Sequence, residues 1–184
     1  MGPLQIIIVF ETKNDDKSDS LYISEVINRF FELKSKNGEE VNLSKIPLNG
    51  KQNYKKKKLL NYINNSIKIF KSYANGETVV IYCIDTDSTE QIYKPGSFFK
   101  NLMDFCDEKG YRLVWFCKNA ENVFLGVEPE TLSNKTLAAK EFSRSGRISL
   151  IKENNLQQSK IVLGCSNIVS VLDCYLKRKD KGEE

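Results

Sequence analysis

The segment Thr78–Glu90 reads TVVIYCIDTDSTE, and it decides the fold because an apolar, β-branched run stops abruptly at Asp85 and Asp87. Such a run, opening after Asn75-Gly76, is typical of a buried parallel strand covered by helices on both faces. In open α/β sheets, ligands bind at the carboxyl ends of the strands. Because alternate residues of an extended segment point the same way, the sequence predicts that both carboxylates face one cation there.

Two further apolar runs, Leu4–Phe10 and Tyr111–Cys117, have the same form and are also followed by polar residues. Apolar residues at helical spacing, and a shorter alternating run, predict the elements between and after the strands. These are helices over 20–35, 58–73, 98–110, 122–126, 134–142 and 166–176, a strand over 40–46, and a loop over 143–146. The order of these elements predicts a Rossmann-like, doubly wound α/β fold with a mainly parallel sheet and right-handed crossovers.

The chain has 184 residues, which fits one domain with one sizeable core. We expect a domain over 1–176, with its core at 4–126 and a helical extension at 133–176, followed by a charged tail over 177–184 that frays. No run is long and apolar enough for a membrane span, and the first ten residues lack the features of a signal peptide, so a cytoplasmic location is expected.

The most informative count is that of histidine, which is zero. This excludes Ser-His-Asp and Cys-His catalysis, histidine-ligated zinc and a histidine general base. The five cysteines show no C-x-x-C spacing, which predicts reduced and mostly buried thiols. Chemistry in this chain therefore depends on carboxylates, lysines, tyrosines or a metal with oxygen ligands, for which magnesium or manganese is favoured.

The combination of Glu11 after the first strand and Asp85-Thr86-Asp87 after a later one resembles the acidic signature of TOPRIM domains. The similarity is greatest to small stand-alone prokaryotic proteins of the RloB and OLD-like kind, and it covers residues 4–126. In those proteins the next strand ends in an Asn followed by an acid and an apolar helix, as at Asn119-Ala120-Glu121. The resemblance implies a metal-dependent nuclease that acts in anti-phage defence beside an ATPase partner.

Three acids converging at strand ends, Glu11, Asp85 and Asp87, would repel one another unless a divalent cation neutralised them. We therefore expect them to hold one or two Mg²⁺ or Mn²⁺ ions, which would activate water and stabilise the leaving oxygen. By resemblance, Glu11 is alternatively a general base or acid. Glu121 is expected as a further metal ligand, and Asn119 and Glu90 as secondary site residues.

Basic residues predict where nucleic acid would bind. The run Lys55, Lys56, Lys57 and Lys58 opposes the dipole of the helix that it opens, which a phosphate-binding role would explain, with help from Lys51. Arg144 and Arg147 are further candidate phosphate contacts. The alternative for every one of these side chains is an ordinary solvated surface position.

Two functions other than a nuclease stay open at this stage. Formation of a homo-oligomer also stays open. Asp85 and Asp87 also fit the D-x-D-x-T motif of HAD phosphatases, in which the first Asp is the nucleophile and the second the acid/base. In TOPRIM enzymes the catalytic Glu is usually followed by Gly, whereas Glu11 is followed by Thr12. That difference leaves open the other function, a catalytically inactive TOPRIM-like subunit that binds a partner or regulates it.

Overall fold

A four-stranded parallel sheet forms the centre of the molecule, of which the computed structural model describes residues 2–12, 18–87, 92–127 and 132–180. In spatial order the strands are β3 (Val41–Pro47), β1 (Leu4–Phe10), β4 (Glu77–Asp85) and β5 (Arg112–Phe116). All three neighbouring pairs are parallel. The predicted Rossmann-like, doubly wound α/β fold is confirmed.

Helices cover both faces of this sheet. They are α1 (Ser18–Phe30), α2 (Lys57–Ala74), α3 (Phe98–Lys109), α4 (Ala120–Leu125), α5 (Leu132–Arg144) and α6 (Ile168–Asp173). Alternate residues of β1 enter different cores: Ile6 and Ile8 pack with α1, α4, α5 and α6, and Ile7 and Val9 pack with α2 and α3. Every residue of β1 is buried, which explains why this strand is apolar throughout rather than alternating.

A separate two-stranded antiparallel sheet corrects two predictions. The helix predicted over 20–35 ends at Phe30, and β2 (Phe31–Ser35) pairs with β6 (Leu176–Arg178) from the far end of the chain. The Arg178 guanidinium lies 4.8 Å from the ring centroid of Phe31, and Lys177 Nζ lies 2.7 Å from an oxygen of Glu32. These contacts with residues from the far end of the chain favour a strand over 31–35, although the spacing of apolar residues there is helical. The frayed tail predicted from residue 177 is therefore wrong for the first two of its residues.

Other predicted elements agree more closely with the structure. Helix α3 begins after Ser97, whose hydroxyl accepts a hydrogen bond from Lys100 N, and ends at Gly110 with a φ of 68°. Helix α5 includes Arg144, which had been predicted in a loop, and the last helix ends at Asp173. Four of the five cysteines are buried and all are free thiols, as expected. In the described residues no helix is both long and apolar enough to cross a membrane.

The chain path places β1 and β4 at a topological switch point. From β1 the chain moves to β3 on one side, and it then passes back to β4 on the other side of β1. Crossovers on opposite sides leave a crevice at the carboxyl ends of the two strands, where ligands bind in open α/β sheets. Glu11 directly follows β1, and Asp85 is the last residue of β4.

Candidate active site

Glu11 is the first acid at this crevice. Its backbone follows β1, where Phe10 pairs in register with Cys83 two residues before Asp85. Burial raises the pKa of Glu11, and the charge of Glu121 raises it further. The charge of Lys51 and a hydrogen bond from the Asp85 backbone lower this pKa. Its Oε2 atom is buried and has no hydrogen-bond partner among the described residues. A buried, unpartnered carboxylate oxygen is costly, so it marks a position where a ligand would be stabilising.

Asp85 is surrounded by like charges. Burial raises its pKa well above the ordinary aspartate value, and the nearby carboxylates of Asp19, Glu11 and Glu121 raise it further. The backbone N–H of Ala120, in the first turn of α4, donates a 3.1 Å hydrogen bond to Asp85 Oδ1. The structure therefore brings together the two acids that the sequence placed at the ends of β1 and β4.

Asp19 is a further acid at this crevice, and the sequence analysis did not single it out. It lies in the first turn of α1, is 4% exposed, and accepts a 3.2 Å hydrogen bond from Thr12 N through Oδ2. Asp19 contributes the largest carboxylate effect on the pKa of Asp85. From the sequence alone it is a good helix-start residue, and an acid in the first turn of the helix after β1 was the available signal.

Glu121 and Lys135 complete the group of charges. The Glu121 side chain is only 3% exposed, and Lys135 Nζ in α5 lies 3.4 Å from Glu121 Oε2. The charge of Lys135 also lowers the pKa of both Glu11 and Asp85, so this lysine acts on three acids. Its role was not predicted, because only the packing of α5 against α1 and α4 places it here. We call Glu11, Asp19, Asp85, Glu121 and Lys135 the acid cluster.

Asn119 positions this cluster from the end of β5. As the N-cap of α4 it accepts hydrogen bonds of 2.8 Å from both the backbone and the side chain of Asn122. The cap fixes the helix turn that carries Ala120 and Glu121. Asn119 therefore fixes the helix turn whose Ala120 N–H donates to Asp85, and its predicted role as a secondary site residue stays a prediction.

Asp87 departs from the geometry expected of it. Its φ is 59°, in the left-handed region, so the segment is not extended here and the alternation argument fails. Asp87 N donates a 2.8 Å hydrogen bond to Lys118 O, and the side chain, 59% exposed, pairs with Lys51. The carboxylates that act on Asp85 belong to the acid cluster instead. Glu90 lies outside the described residues.

The predicted basic residues divide into two groups. Backbone hydrogen bonds from Gly50 N to Glu11 O and from Leu48 N to Phe10 O hold the loop after β3 against the end of β1. Lys51 follows this loop, and the predicted run that opens α2, comprising Lys55, Lys56, Lys57 and Lys58, is exposed beside it. Arg144 and Arg147 are exposed elsewhere, since Arg144 ends α5 about 13 Å along the helix from Lys135. Neither arginine is among the charges that act on Glu11 and Asp85.

The acids have the oxygen ligands that a divalent cation needs, but their side chains are not arranged around a common point. Carboxylate oxygens are the ligands that Mg²⁺ and Mn²⁺ prefer, and the unpartnered Glu11 Oε2 is a free donor. Within the described ranges, however, no three Asp, Glu, Cys or His side chains are placed so that they could hold a metal ion. Lys51 and Lys135 supply part of the compensating positive charge.

Comparison with known proteins adds no assignment. No family model, no curated protein and no solved structure matches this chain.

Proposed function

We propose that the chain is a TOPRIM-like, metal-dependent nuclease that hydrolyses phosphodiester bonds of nucleic acids. The observation that carries the proposal is the pair Glu11 and Asp85, which end adjacent strands at the switch point, both with a raised pKa. Perturbed carboxylates in a strand-end crevice are typical of functional sites. By resemblance, we further propose a cytoplasmic role in anti-phage defence beside an ATPase partner.

Glu11 and Asp85 would hold Mg²⁺ or Mn²⁺, with Asp19 and Glu121 adding negative charge around them. When bound, such an ion lowers the pKa of a coordinated water and neutralises charge on a phosphate. The charge repulsion that raises the pKa of Asp85 is the force that would favour the cation.

The protein groups have separate tasks in this proposal. As the alternative to metal ligation, Glu11 would be the general base, since a carboxyl group with a raised pKa is suited to accept and return a proton. Lys51, paired with the exposed Asp87, is placed to contact a phosphate at the mouth of the crevice. Asn119 keeps α4 oriented so that the Ala120 N–H holds Asp85.

The test is cleavage of labelled DNA and tRNA by the purified chain in Mg²⁺ and in Mn²⁺. Glu11→Ala and Asp85→Asn should each lose at least about a hundredfold in rate, since each removes a group that acts on the reacting phosphate. Asp104→Asn is the matched control, because Asp104 is an acid paired with Lys100 on the surface of α3. Equal activity of all four proteins would contradict the proposal.

A non-catalytic binding subunit is the second candidate, and the absence of a ready three-acid metal group in the described residues favours it. In that case Lys51 and Lys135 are permanent counter-charges, and loss of any single acid leaves function intact. The phosphatase alternative requires Asp87 to work beside Asp85, and Asp87 instead pairs with Lys51. Absence of turnover together with retained nucleic-acid binding would support the binding subunit.

A further inference from the structure

A second concave site lies at the edge of the sheet between β3 and α2. It is a cavity of about 380 Å³, within the size range of small-ligand sites. Its lining combines apolar side chains that are wholly or partly buried with an aromatic ring and cations that are exposed: Pro47, Leu48, Leu59, Tyr62, Lys56 and Lys58. We call it the β3–α2 cavity.

The lining matches the two halves of a nucleotide. Tyr62 is 58% exposed, so its ring is available for stacking, and the apolar side chains beside it would cover a flat base. Lys56 and Lys58 are exposed at the same cavity and would contact the phosphate. Aromatic rings next to lysines are the combination by which proteins bind single strands irrespective of sequence.

The cavity adjoins the acid cluster through the backbone. Asn49, which lines the cavity, donates its N–H to Thr12 O at 3.4 Å, and Gly50 N donates to Glu11 O at 3.1 Å. The loop that forms one side of the cavity is therefore hydrogen-bonded to the residue proposed to be catalytic. A strand with one base in the cavity would have its backbone close to Glu11.

The charge around the cavity favours a polymer over a single nucleotide. Residues 41–76, which contain β3, the loop and α2, hold eight lysines and no Asp or Glu, whereas the whole chain has 28 basic and 24 acidic residues. Such segregation complements a string of phosphates. A free nucleotide would use only the two lysines of the cavity itself.

We propose that the β3–α2 cavity takes one unpaired base of a single-stranded nucleic acid, stacked on Tyr62 with its phosphate at Lys56 and Lys58. A base inside a duplex cannot enter the cavity, so the substrate class is single-stranded or locally unpaired nucleic acid. This inference rests on the proposed nuclease function of the neighbouring acid cluster, and it adds substrate selection to it.

The test is fluorescence anisotropy with a labelled oligonucleotide, single-stranded or in duplex, in EDTA so that binding is measured without cleavage. The wild-type chain should prefer the single strand. Tyr62→Ala should weaken single-strand binding by roughly 5- to 150-fold, whereas Tyr62→Phe keeps the ring and should bind normally. Tyr73→Ala is the matched control, since Tyr73 is 66% exposed on the same helix about 16 Å along its axis, and it should change affinity by less than about twofold.

Salt dependence tests the phosphate contacts separately. Replacing Lys56 and Lys58 together by Ala should reduce the slope of log affinity against log salt by about 1.4, which corresponds to two released counterions on a single strand. An unchanged slope would contradict phosphate binding at the cavity.

Four results would overturn the proposal. They are equal effects of Tyr62→Ala and Tyr73→Ala, equal binding of duplex and single strand, a mononucleotide that binds as tightly as the oligonucleotide, and binding to anionic vesicles without binding to oligonucleotides.

Glu11→Gln separates this proposal from the nuclease, because it should bind the single strand normally and fail to cut it. Tyr62-dependent binding without any cleavage would refute the nuclease alone. Cleavage that needs Glu11 but not Tyr62 would refute the cavity alone.

Discussion

Lys135→Met provides a direct test of the electrostatics of the acid cluster. Lys135 lies 3.4 Å from Glu121, whose side chain is 3% exposed, and its charge also lowers the pKa of Glu11 and Asp85. Methionine keeps most of the length and apolar surface of the lysine stem but removes the cation. The variant therefore removes the counter-charge that acts on Glu121 and Asp85, while Lys51 still acts on Glu11.

The expected loss of stability follows from burial and distance. Breaking a fully buried ion pair costs about 3–5 kcal/mol, because the remaining charge is left uncompensated. Here the lysine is 25% exposed and the contact is long, so water screens part of the interaction. We expect the free energy of unfolding to fall by about 1–2 kcal/mol, equivalent to a Tm decrease of about 2–8 °C for a chain of this size.

A divalent cation should reverse this loss if the acids bind one. The variant site carries one more net negative charge than the wild-type site, so Mn²⁺ should bind it more tightly. At a hundredfold excess over its Kd, an ion that binds only the folded state adds about 2.7 kcal/mol, or about 5–11 °C in Tm. Thermal unfolding followed by circular dichroism, with and without Mn²⁺, measures both effects.

Lys140→Met is the matched control, because Lys140 is exposed on the same helix and lies outside the acid cluster. It should change Tm by little and should not alter the response to Mn²⁺. A Lys135→Met protein that unfolds like this control would refute the charge coupling between Lys135 and the acids. If it is destabilised but Mn²⁺ restores nothing, the coupling stands and a metal at these acids is refuted.

Three further outcomes are expected. Folding raises the pKa values of Glu11 and Asp85, so between the ordinary carboxyl range and those raised values the folded chain binds more protons than the unfolded chain. The free energy of unfolding should therefore fall as pH rises through that window. Asp85→Asn should make this fall smaller, as measured by urea titrations at several pH values. Asp19→Asn, which keeps an oxygen for the Thr12 N–H, should reduce the Mn²⁺-induced rise in Tm, whereas Ser20→Asn in the same helix turn should not. Asp87→Asn should reduce cleavage by a smaller factor than Asp85→Asn, since the exposed Asp87 pairs with Lys51 outside the acid cluster; equal rate losses would contradict that assignment.

The strands were predictable because burial on both faces leaves a local sequence signal. The predicted strand over Leu4–Phe10 matches β1, and the apolar run before Asp85 matches most of β4. The strand β2 was not predictable, since its pairing partner β6 lies at the other end of the chain. Local periodicity carries no information about such a distant partner.

The candidate site was predictable only in part, for a related reason. The positions of Glu11 and Asp85 follow from strand ends, which the sequence marks by a change from apolar to acidic residues. The direction of Asp87 depends on one backbone angle, and a φ of 59° turns it away from the expected arrangement. Lys135 comes from a helix whose packing brings it to the crevice, so no local pattern identifies it. The local signal for Asp19 is only its position in the first turn of the helix after β1.

The Lys51–Asp87 pair links the two sites that we propose. Asp87 follows β4, and Lys51 follows the loop that lines the β3–α2 cavity, so the pair joins the acid cluster to the cavity across the end of β1. Because the Asp87 side chain is 59% exposed, the pair itself adds little stability. A phosphate arriving at this edge would compete with Asp87 for the same lysine, and the freed carboxylate would then lie beside the bound backbone. Lys51 would thus exchange the Asp87 carboxylate for the phosphate, so one lysine would serve both the acid cluster and the β3–α2 cavity.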